Sequence, residues 1–131
     1  MQFSATVLPL LALALPASAI VSGLTAPSSI TAGETFILTL DTADYIQTVY
    51  DVSVAFGIAP GVGNPGALGN VFASAYLGPQ LSNILNPIRF TVSVDATTPK
   101  GESTIAASVT SLYGVGAEPA INTFNTTVTV V

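Results

Sequence analysis

The segment STIAASVTS, residues 103–111, shows the pattern that decides the fold of this chain, because polar and apolar residues alternate along it. Ile105, Ala107 and Val109 would share one face of an extended strand, whose side chains point alternately to opposite sides. A helix would place Ala107 on the side opposite Ile105 and Val109, since it has 3.6 residues per turn. The segment therefore predicts a β-strand with one face in a hydrophobic core.

The same alternation recurs on both sides of this strand. It is found in the segments TFILTL (35–40), YDVSVAF (50–56), RFTVSV (89–94) and FNTTVTVV (124–131). Turn-forming residues rich in glycine and proline separate these segments, at positions 32–33, 57–70, 99–101 and 114–119. We predict an all-β fold, an immunoglobulin-like β-sandwich of about seven strands, with a small β-barrel as the alternative.

The first 19 residues form a separate segment that is typical of secretion. An uncharged apolar run, Val7–Leu15, precedes a proline and the small residues Ala17–Ala19, the pattern that a signal peptidase recognises. The run is shorter than the about 20 residues that span a bilayer. We predict a signal peptide at 1–19, cleavage between Ala19 and Ile20, and a single secreted domain at 20–131 with no membrane span.

The composition excludes several classes of function. The chain has no histidine and no cysteine, so it has no imidazole base, no thiol nucleophile, no zinc site of the ordinary type and no disulfide. Two basic residues stand against seven acidic ones, for a net charge of −5, which disfavours nucleic acid and anionic membranes as partners. We expect a protein that is not an enzyme and has no catalytic residue, no metal and no cofactor.

One glycine-rich stretch matches the residue pattern of a nucleotide-binding motif but not the structural context of that motif. Residues 61–66 read GVGNPG, which fits the pattern GxGxxG. Pro65 stands where the helix of that motif would begin, and no helical pattern follows it. We therefore interpret the stretch as a turn-rich surface loop.

Three aspartates gather near one another in the sequence. Asp41, Asp44 and Asp51 flank a predicted strand end, and calcium prefers carboxylate oxygens. The segment has neither the spacing of an EF-hand loop nor the glycine at its turning point. We interpret these aspartates as solvated loop charges rather than as a calcium site.

Asn125-Thr126-Thr127 is the only N-glycosylation sequon, because every other asparagine precedes a proline or lacks serine or threonine two positions later. The alternation in the last segment turns Asn125 away from the core face, where a glycan is accommodated. We predict a glycoprotein modified at Asn125. If the last strand lies at a sheet edge, the glycan would also hinder pairing between the edges of two molecules.

Two turn-bounded segments combine tyrosine with leucine and glycine. A tyrosine offers apolar area together with a hydroxyl that forms hydrogen bonds, as recognition surfaces do. The candidate interaction surface consists of Tyr76, Leu77, Gly78, Pro79, Ser82, Asn83 and Tyr113. Alternatively, these tyrosines fill the end of the sandwich core and place their hydroxyls at its rim.

Six short segments form an ordered pattern across nearly the whole predicted mature chain: Tyr45–Val52, Ala55–Gly57, Leu68–Gly69, Tyr76–Asn83, Ser111–Gly114 and Phe124–Val130. This set resembles the fungal necrosis-inducing secreted protein family. The resemblance implies a secreted effector that binds receptor-associated immune kinases of plants and suppresses pattern-triggered responses, and some family members provoke cell death. It implies an extracellular protein and leaves uptake into the host cytoplasm open.

Two classes of function remain after these arguments. The first is the non-enzymatic effector just described. The second is a structural or adhesive β-sandwich module of the fungal cell surface or wall, because a fold does not fix a function. The absence of tryptophan disfavours a sugar-binding platform. The residues leave open the identity of the partner, the oligomeric state, and whether immunity is suppressed or elicited.

Overall fold

The computed structural model describes residues 18–131, which form eight β-strands in two sheets. The strands are β1 (Ala19–Thr25), β2 (Ser29–Ile30), β3 (Thr35–Asp44), β4 (Val49–Pro60), β5 (Asn70–Tyr76), β6 (Ile88–Ser93), β7 (Gly101–Tyr113) and β8 (Glu118–Val130). One sheet has the order β1-β3-β6 and the other the order β2-β8-β7-β4-β5. Neighbouring strands are antiparallel except for the short parallel pair β2 and β8. The predicted all-β sandwich is confirmed.

The predicted signal peptide falls almost entirely outside the described residues, because positions 1–17 are not among them. Within residues 18–131, no helix has the length and apolar character needed to cross a membrane.

The core lies between the two sheets and is built from the faces that the alternation predicts. Ile105, Ala107 and Val109 of β7 are all buried, and Leu38 and Leu40 of β3 are buried opposite them in the other sheet. This interlocking of apolar faces from two sheets is the ordinary way in which a β-sandwich excludes water.

Aromatic rings fill the space between the sheets toward one side. The ring of Phe56, on β4, lies edge-on to that of Phe90, on β6, with the centroids 5.3 Å apart. Phe72, on β5, lies 6.4 Å from Phe56 and 6.2 Å from Phe36. These rings join the two sheets beside the edge strands β5 and β6.

Strand β4 is longer than predicted. The turn expected at 57–70 begins only at residue 61, because Gly57, Ile58, Ala59 and Pro60 remain paired with β7. Glycine and proline at 57 and 60 suggested a turn, but the ladder to β7 continues through both positions. Gly57 serves a different purpose, since the backbone of Leu68 crosses directly above it.

Candidate functional site

All four tyrosines of the chain lie at one end of the sandwich: Tyr45, Tyr50, Tyr76 and Tyr113. Strand register brings them there. Strand β4 begins at this end of the five-stranded sheet, and β5 and β7 finish at the same end. We call this region the tyrosine end. It consists of the four tyrosines and of the loops at 45–48, 77–87 and 114–117.

Tyr50 and Tyr76 form a pair on the outer surface. Their hydroxyl oxygens are 3.0 Å apart, and Tyr76 is 66% exposed. The hydrogen bond to Tyr76 is the main reason why the pKa of Tyr50 lies above its ordinary value. Gly78 lies against the Tyr76 ring, where a Cβ atom would overlap the ring, and its φ of 61° is one that favours glycine. The ring of Tyr76 is therefore held from two sides.

Tyr45 and Tyr113 form a second pair, which is half-buried. Their rings meet edge to face with centroids 6.1 Å apart. The side-chain amide of Asn122 donates a hydrogen bond of 2.8 Å to the hydroxyl oxygen of Tyr113. Tyr113 thus fits the alternative in which a tyrosine fills the end of the core, whereas Tyr76 faces solvent.

Two exposed apolar side chains extend the surface at the neighbouring loop tips. Ile46 is 93% exposed and Val115 is completely exposed. The amide of Gly114 donates a hydrogen bond to the carbonyl oxygen of Thr48, which ties the two loops together. The exposed carboxylates of Asp44 and Glu118 stand at the ends of β3 and β8 beside these loops. Apolar tips with acidic neighbours suit a protein partner whose surface is basic.

A buried polar network anchors the loop at 77–87. The hydroxyl oxygen of Ser82 accepts a hydrogen bond from the amide of Asp51, and its proton is shared between the carbonyl oxygens of Asp51 (2.9 Å) and Gly78 (2.5 Å). The hydroxyl of Ser111 donates to the carboxylate of Asp51 at 2.6 Å. Asp51 is only 2% exposed, and this burial raises the pKa of its carboxyl, while the bond from Ser111 acts in the opposite direction.

The predicted interaction segment divides into exposed and supporting residues. Tyr76 and Pro79 are exposed, whereas Leu77, Gly78 and Ser82 are buried and do not reach a partner in this conformation. Leu77 packs in the core, and its amide bonds to the carbonyl oxygen of Val52. The buried residues of the segment hold the loop in place and leave Tyr76 and Pro79 at its surface.

Asn83 also has a supporting position. Its φ is 55°, and its side-chain oxygen accepts a hydrogen bond of 2.8 Å from the amide of Ala19. Ala19 is buried and pairs with Asp44, so the predicted cleavage bond between Ala19 and Ile20 lies within β1. Cleavage at this bond would remove Ala19 and its hydrogen bond, so the supporting contact of Asn83 belongs to the uncleaved chain.

Sequence reasoning missed Tyr45, Tyr50, Ile46 and Val115. They belong to different strands and loops, so no local motif joins them, and only the register of β4 with β5 and β7 brings them to one end. One signal was present in the sequence, because Tyr45, Tyr50 and Tyr113 each lie within a few residues of a predicted strand boundary, whereas no strand is predicted near Tyr76.

The other candidate sites are dispersed. Asp41 accepts a hydrogen bond from the hydroxyl of Thr25, Asp44 ends β3, and Asp51 lies in the core. Among residues 18–131, no three histidine, cysteine, aspartate or glutamate side chains come together as metal ligands. The GxGxxG stretch lies in the loop at 61–69 and leads into β5 rather than into a helix, so the interpretation as a surface loop is confirmed.

Asn125 is exposed on β8, as the alternation predicts. Within the described residues, β2 borders the outer edge of β8 only at Thr129 and Val130. The sequon therefore lies on a strand whose outer edge is open over most of its length. A glycan at this position would hinder edge-to-edge pairing, as expected from the sequence.

Comparison with known proteins places these features in a family. A family model described as Nis1 family matches residues 17–129. The chain belongs to the Nis1 family. Among curated relatives, the Nis1 family chain is 38% identical to Necrosis-inducing secreted protein 1 of Colletotrichum orbiculare over 131 residues, which cover 99% of this chain and 81% of that protein. The protein of the same name from Colletotrichum higginsianum is 39% identical, and the match covers 99% of this chain and 91% of that protein. The predicted resemblance is confirmed, and the chain is a secreted protein.

Solved structures similar to the Nis1 family chain include superoxide reductase (neelaredoxin) from Ignicoccus hospitalis. The TM-score is 0.53, with 9% identity and coverage of 100% of this chain and 88% of that one. A second structure, of a variant of the same protein, gives a TM-score of 0.51 with 10% identity. The match covers 92% of this chain and 86% of that one. At these identities the likeness concerns the fold alone.

Proposed function

We propose that this Nis1 family protein is a non-enzymatic secreted effector that binds receptor-associated immune kinases of a plant host and suppresses pattern-triggered immunity. Membership of the family supports the role of a secreted effector, and the kinase partner is the one that the family resemblance implies. The observation that carries the binding surface is the gathering of all four tyrosines at one end, beside the exposed side chains of Ile46 and Val115.

The tyrosine end has the physical properties of a protein-binding surface. Tyrosine is among the residues that most often dominate the binding energy of an interface. Tyr76 is held by its hydrogen bond to Tyr50 and by its contact with Gly78, so its ordering on binding costs little entropy. The network around Ser82 fixes the loop behind it. We infer that Tyr76 is the central contact of this surface.

The acid and base groups of the chain support a binding role rather than catalysis. The sequence contains no histidine and no cysteine. Asp51 has a raised pKa, which is a property of many catalytic acids, but it is enclosed in the core and bonded to Ser111. A substrate would have no access to its carboxylate. The shift is explained by burial within the fold.

The proposed kinase partner requires that the protein reach the host cytoplasm, where kinase domains lie. The chain contains no cysteine, so its stability depends on no disulfide that this reducing compartment would break. We propose that the acidic residues beside the tyrosine end, Asp44 and Glu118, face basic groups on the kinase domain.

Direct binding tests this proposal. The full chain is expressed in a secreting yeast, and the protein is purified from the medium. It is then measured against the kinase domains of plant immune co-receptors, with insoluble chitin and glucan as parallel baits. Saturable kinase binding at micromolar or tighter affinity supports the proposal. Binding to a polysaccharide alone would assign the protein to the class of wall-associated modules, and binding to none of these baits would reject the kinase partner.

Matched variants locate the surface. Tyr76→Ala should weaken kinase binding about tenfold or more, as expected for a central aromatic contact. Val115→Ser should also weaken kinase binding. Val62→Ser changes an equally apolar loop tip, 90% exposed, at the opposite end of the sandwich and should leave the affinity unchanged. Equal affinity of all three variants and the unmodified protein would place the contact elsewhere.

A further inference from the structure

The loop at 61–69, between β4 and β5, folds back over the outer face of the five-stranded sheet. A Cβ atom on Gly57 would overlap the backbone of Leu68, and one on Gly69 would lie 2.5 Å from the carbonyl oxygen of Ile58. The hydroxyl of Thr104, on β7, donates a hydrogen bond of 2.6 Å to the carbonyl oxygen of Gly61. The loop is therefore fixed to the sheet near both of its ends.

A groove of about 150 Å³ separates this loop from the outer faces of β7 and β8. It is smaller than the cavities of roughly 300–1,000 Å³ that hold drug-sized ligands. No charged residue lines it, and the lining mixes apolar groups with hydroxyl and amide groups. The lining includes Val62, Asn64, Leu68, Thr104, Thr123 and Asn125.

Asn125, the sequon asparagine, is thus part of the wall of the groove. It pairs with Ala106 of β7 and is exposed. Thr127, the hydroxyl residue of the sequon, lies two positions along the same strand, on the same face, and is exposed as well. A sugar attached to the side chain of Asn125 begins at the rim of the groove.

We propose that Asn125 carries an N-linked glycan whose first sugar lies in this groove and covers the loop at 61–69. The covalent bond keeps the sugar at the groove, so that weak contacts suffice to hold it there. The hydroxyl oxygen of Thr104, whose proton is bonded to Gly61, can accept a hydrogen bond from a sugar hydroxyl. The hydroxyl of Thr123 and the amide of Asn64 also match the polar groups of a sugar, and the exposed side chain of Val62 offers an apolar contact. The glycan acts as a clamp on a loop that the protein alone holds only near its ends.

Hydrogen exchange of the secreted protein tests this inference. Three forms are compared: the intact glycoprotein, the form trimmed by an endoglycosidase to one N-acetylglucosamine, and the form freed of all sugar by an amidase, which hydrolyses the side-chain amide and leaves an aspartate in place of Asn125. The Thr127→Ala variant supplies a sugar-free form that keeps Asn125 itself. Intact mass measures the occupancy of Asn125. Peptides covering 61–69 should exchange at least about threefold more slowly in the first two forms than in the third. Peptides covering 114–117, at the tyrosine end, should exchange equally in all three.

Variants of the sequon separate the glycan from the side chain. Thr127→Ala removes the glycan and leaves Asn125 in place, whereas Thr127→Ser keeps a working sequon. The inference predicts fast exchange at 61–69 in the first variant and slow exchange in the second. An unmodified Asn125, equal exchange in all forms, or protection that disappears on trimming to one sugar would overturn it. Because this groove and the tyrosine end lie at opposite ends of the sandwich, the result is independent of kinase binding.

Discussion

The hydroxyl oxygens of Tyr50 and Tyr76 lie 3.0 Å apart, although 26 positions separate the two residues in the chain. The pairing of β4 with β5 creates this contact, because the register sets Tyr76 opposite Ser53, close to the start of β4. The two phenols form a fixed element at the surface. The pair depends on this register, because a shift of one residue would turn the Tyr76 side chain to the other face of the sheet.

The pair can be detected by titration. The hydrogen bond to Tyr76 raises the pKa of Tyr50, so this phenol should ionise at a pH above its ordinary pKa in the unmodified protein. Tyr76→Phe removes the partner and should lower the pKa of Tyr50 toward its ordinary value, as followed by the ultraviolet absorbance of tyrosinate. Tyr113→Phe, which leaves the pair intact, serves as the control. An identical high-pH titration in Tyr76→Phe would contradict the hydrogen bond.

Asp51 should make the protein less stable as the pH rises from acid to neutral. Burial raises the pKa of this carboxyl in the folded state, so the folded protein holds a proton that the unfolded chain releases. The stabilising contribution of Asp51 is complete below the ordinary aspartate pKa and is lost as the pH rises through the raised value. Asp51→Asn should therefore have a higher melting temperature near pH 7, with a difference that shrinks in acid.

Asp95 should have the opposite effect on how stability depends on pH. Hydrogen bonds from the amide and the hydroxyl of Thr97 lower the pKa of its carboxyl. Its contribution is therefore present above the ordinary aspartate pKa and is lost as the pH falls through the lowered value. Asp95→Asn should lower the melting temperature near pH 7 and match the unmodified protein in strong acid. Parallel pH profiles of the Asp51 and Asp95 variants would refute the assignment for Asp51.

Ser82 should contribute to stability and to the order of the loop at 77–87. Ser82→Ala leaves the amide of Asp51 without a partner in a buried site, which costs about 1–3 kcal/mol. Chemical denaturation measures this loss, and hydrogen exchange should show faster opening of the loop. Ser93→Ala, at an exposed position of β6, should change the stability by less than about 0.5 kcal/mol. Equal stability of the two variants would exclude an anchoring role for Ser82.

The sequence predicts the core of this fold better than its edges. Strands with one buried and one exposed face are recognisable from the alternation of apolar and polar residues, and Ile105, Ala107 and Val109 are buried as expected. Strand β5 was missed because its sequence NVFASAY mixes small and apolar residues without a clear period. Its strand conformation follows from its pairing with β4, a contact between distant parts of the chain that no local pattern contains.

The candidate surface was predicted only in part, for a related reason. Tyr76 and Tyr113 were identified because each lies beside glycine in a turn-bounded segment, whereas Tyr45 and Tyr50 lie in a segment that reads as strand and loop. The buried position of Ser82 was not evident either. A serine in a polar segment is usually exposed, but Ser82 is buried because its hydroxyl oxygen accepts a hydrogen bond from the amide of Asp51.

Gly57 should be required for the position of the loop at 61–69. Its φ is not in the left-handed region, so the requirement is one of space: a Cβ atom would overlap the backbone of Leu68. Gly57→Ala must lift the loop or shift β4, and we expect a loss of about 1–3 kcal/mol, as for other overpacked sites. Gly116→Ala is the matched control, because its Cβ atom meets no neighbour within 4 Å. If both variants unfold at the same denaturant concentration, the loop does not rest on Gly57. If only Gly57→Ala is destabilised, and exchange at 61–69 becomes faster in that variant, the close crossing of the loop over β4 holds the loop in place.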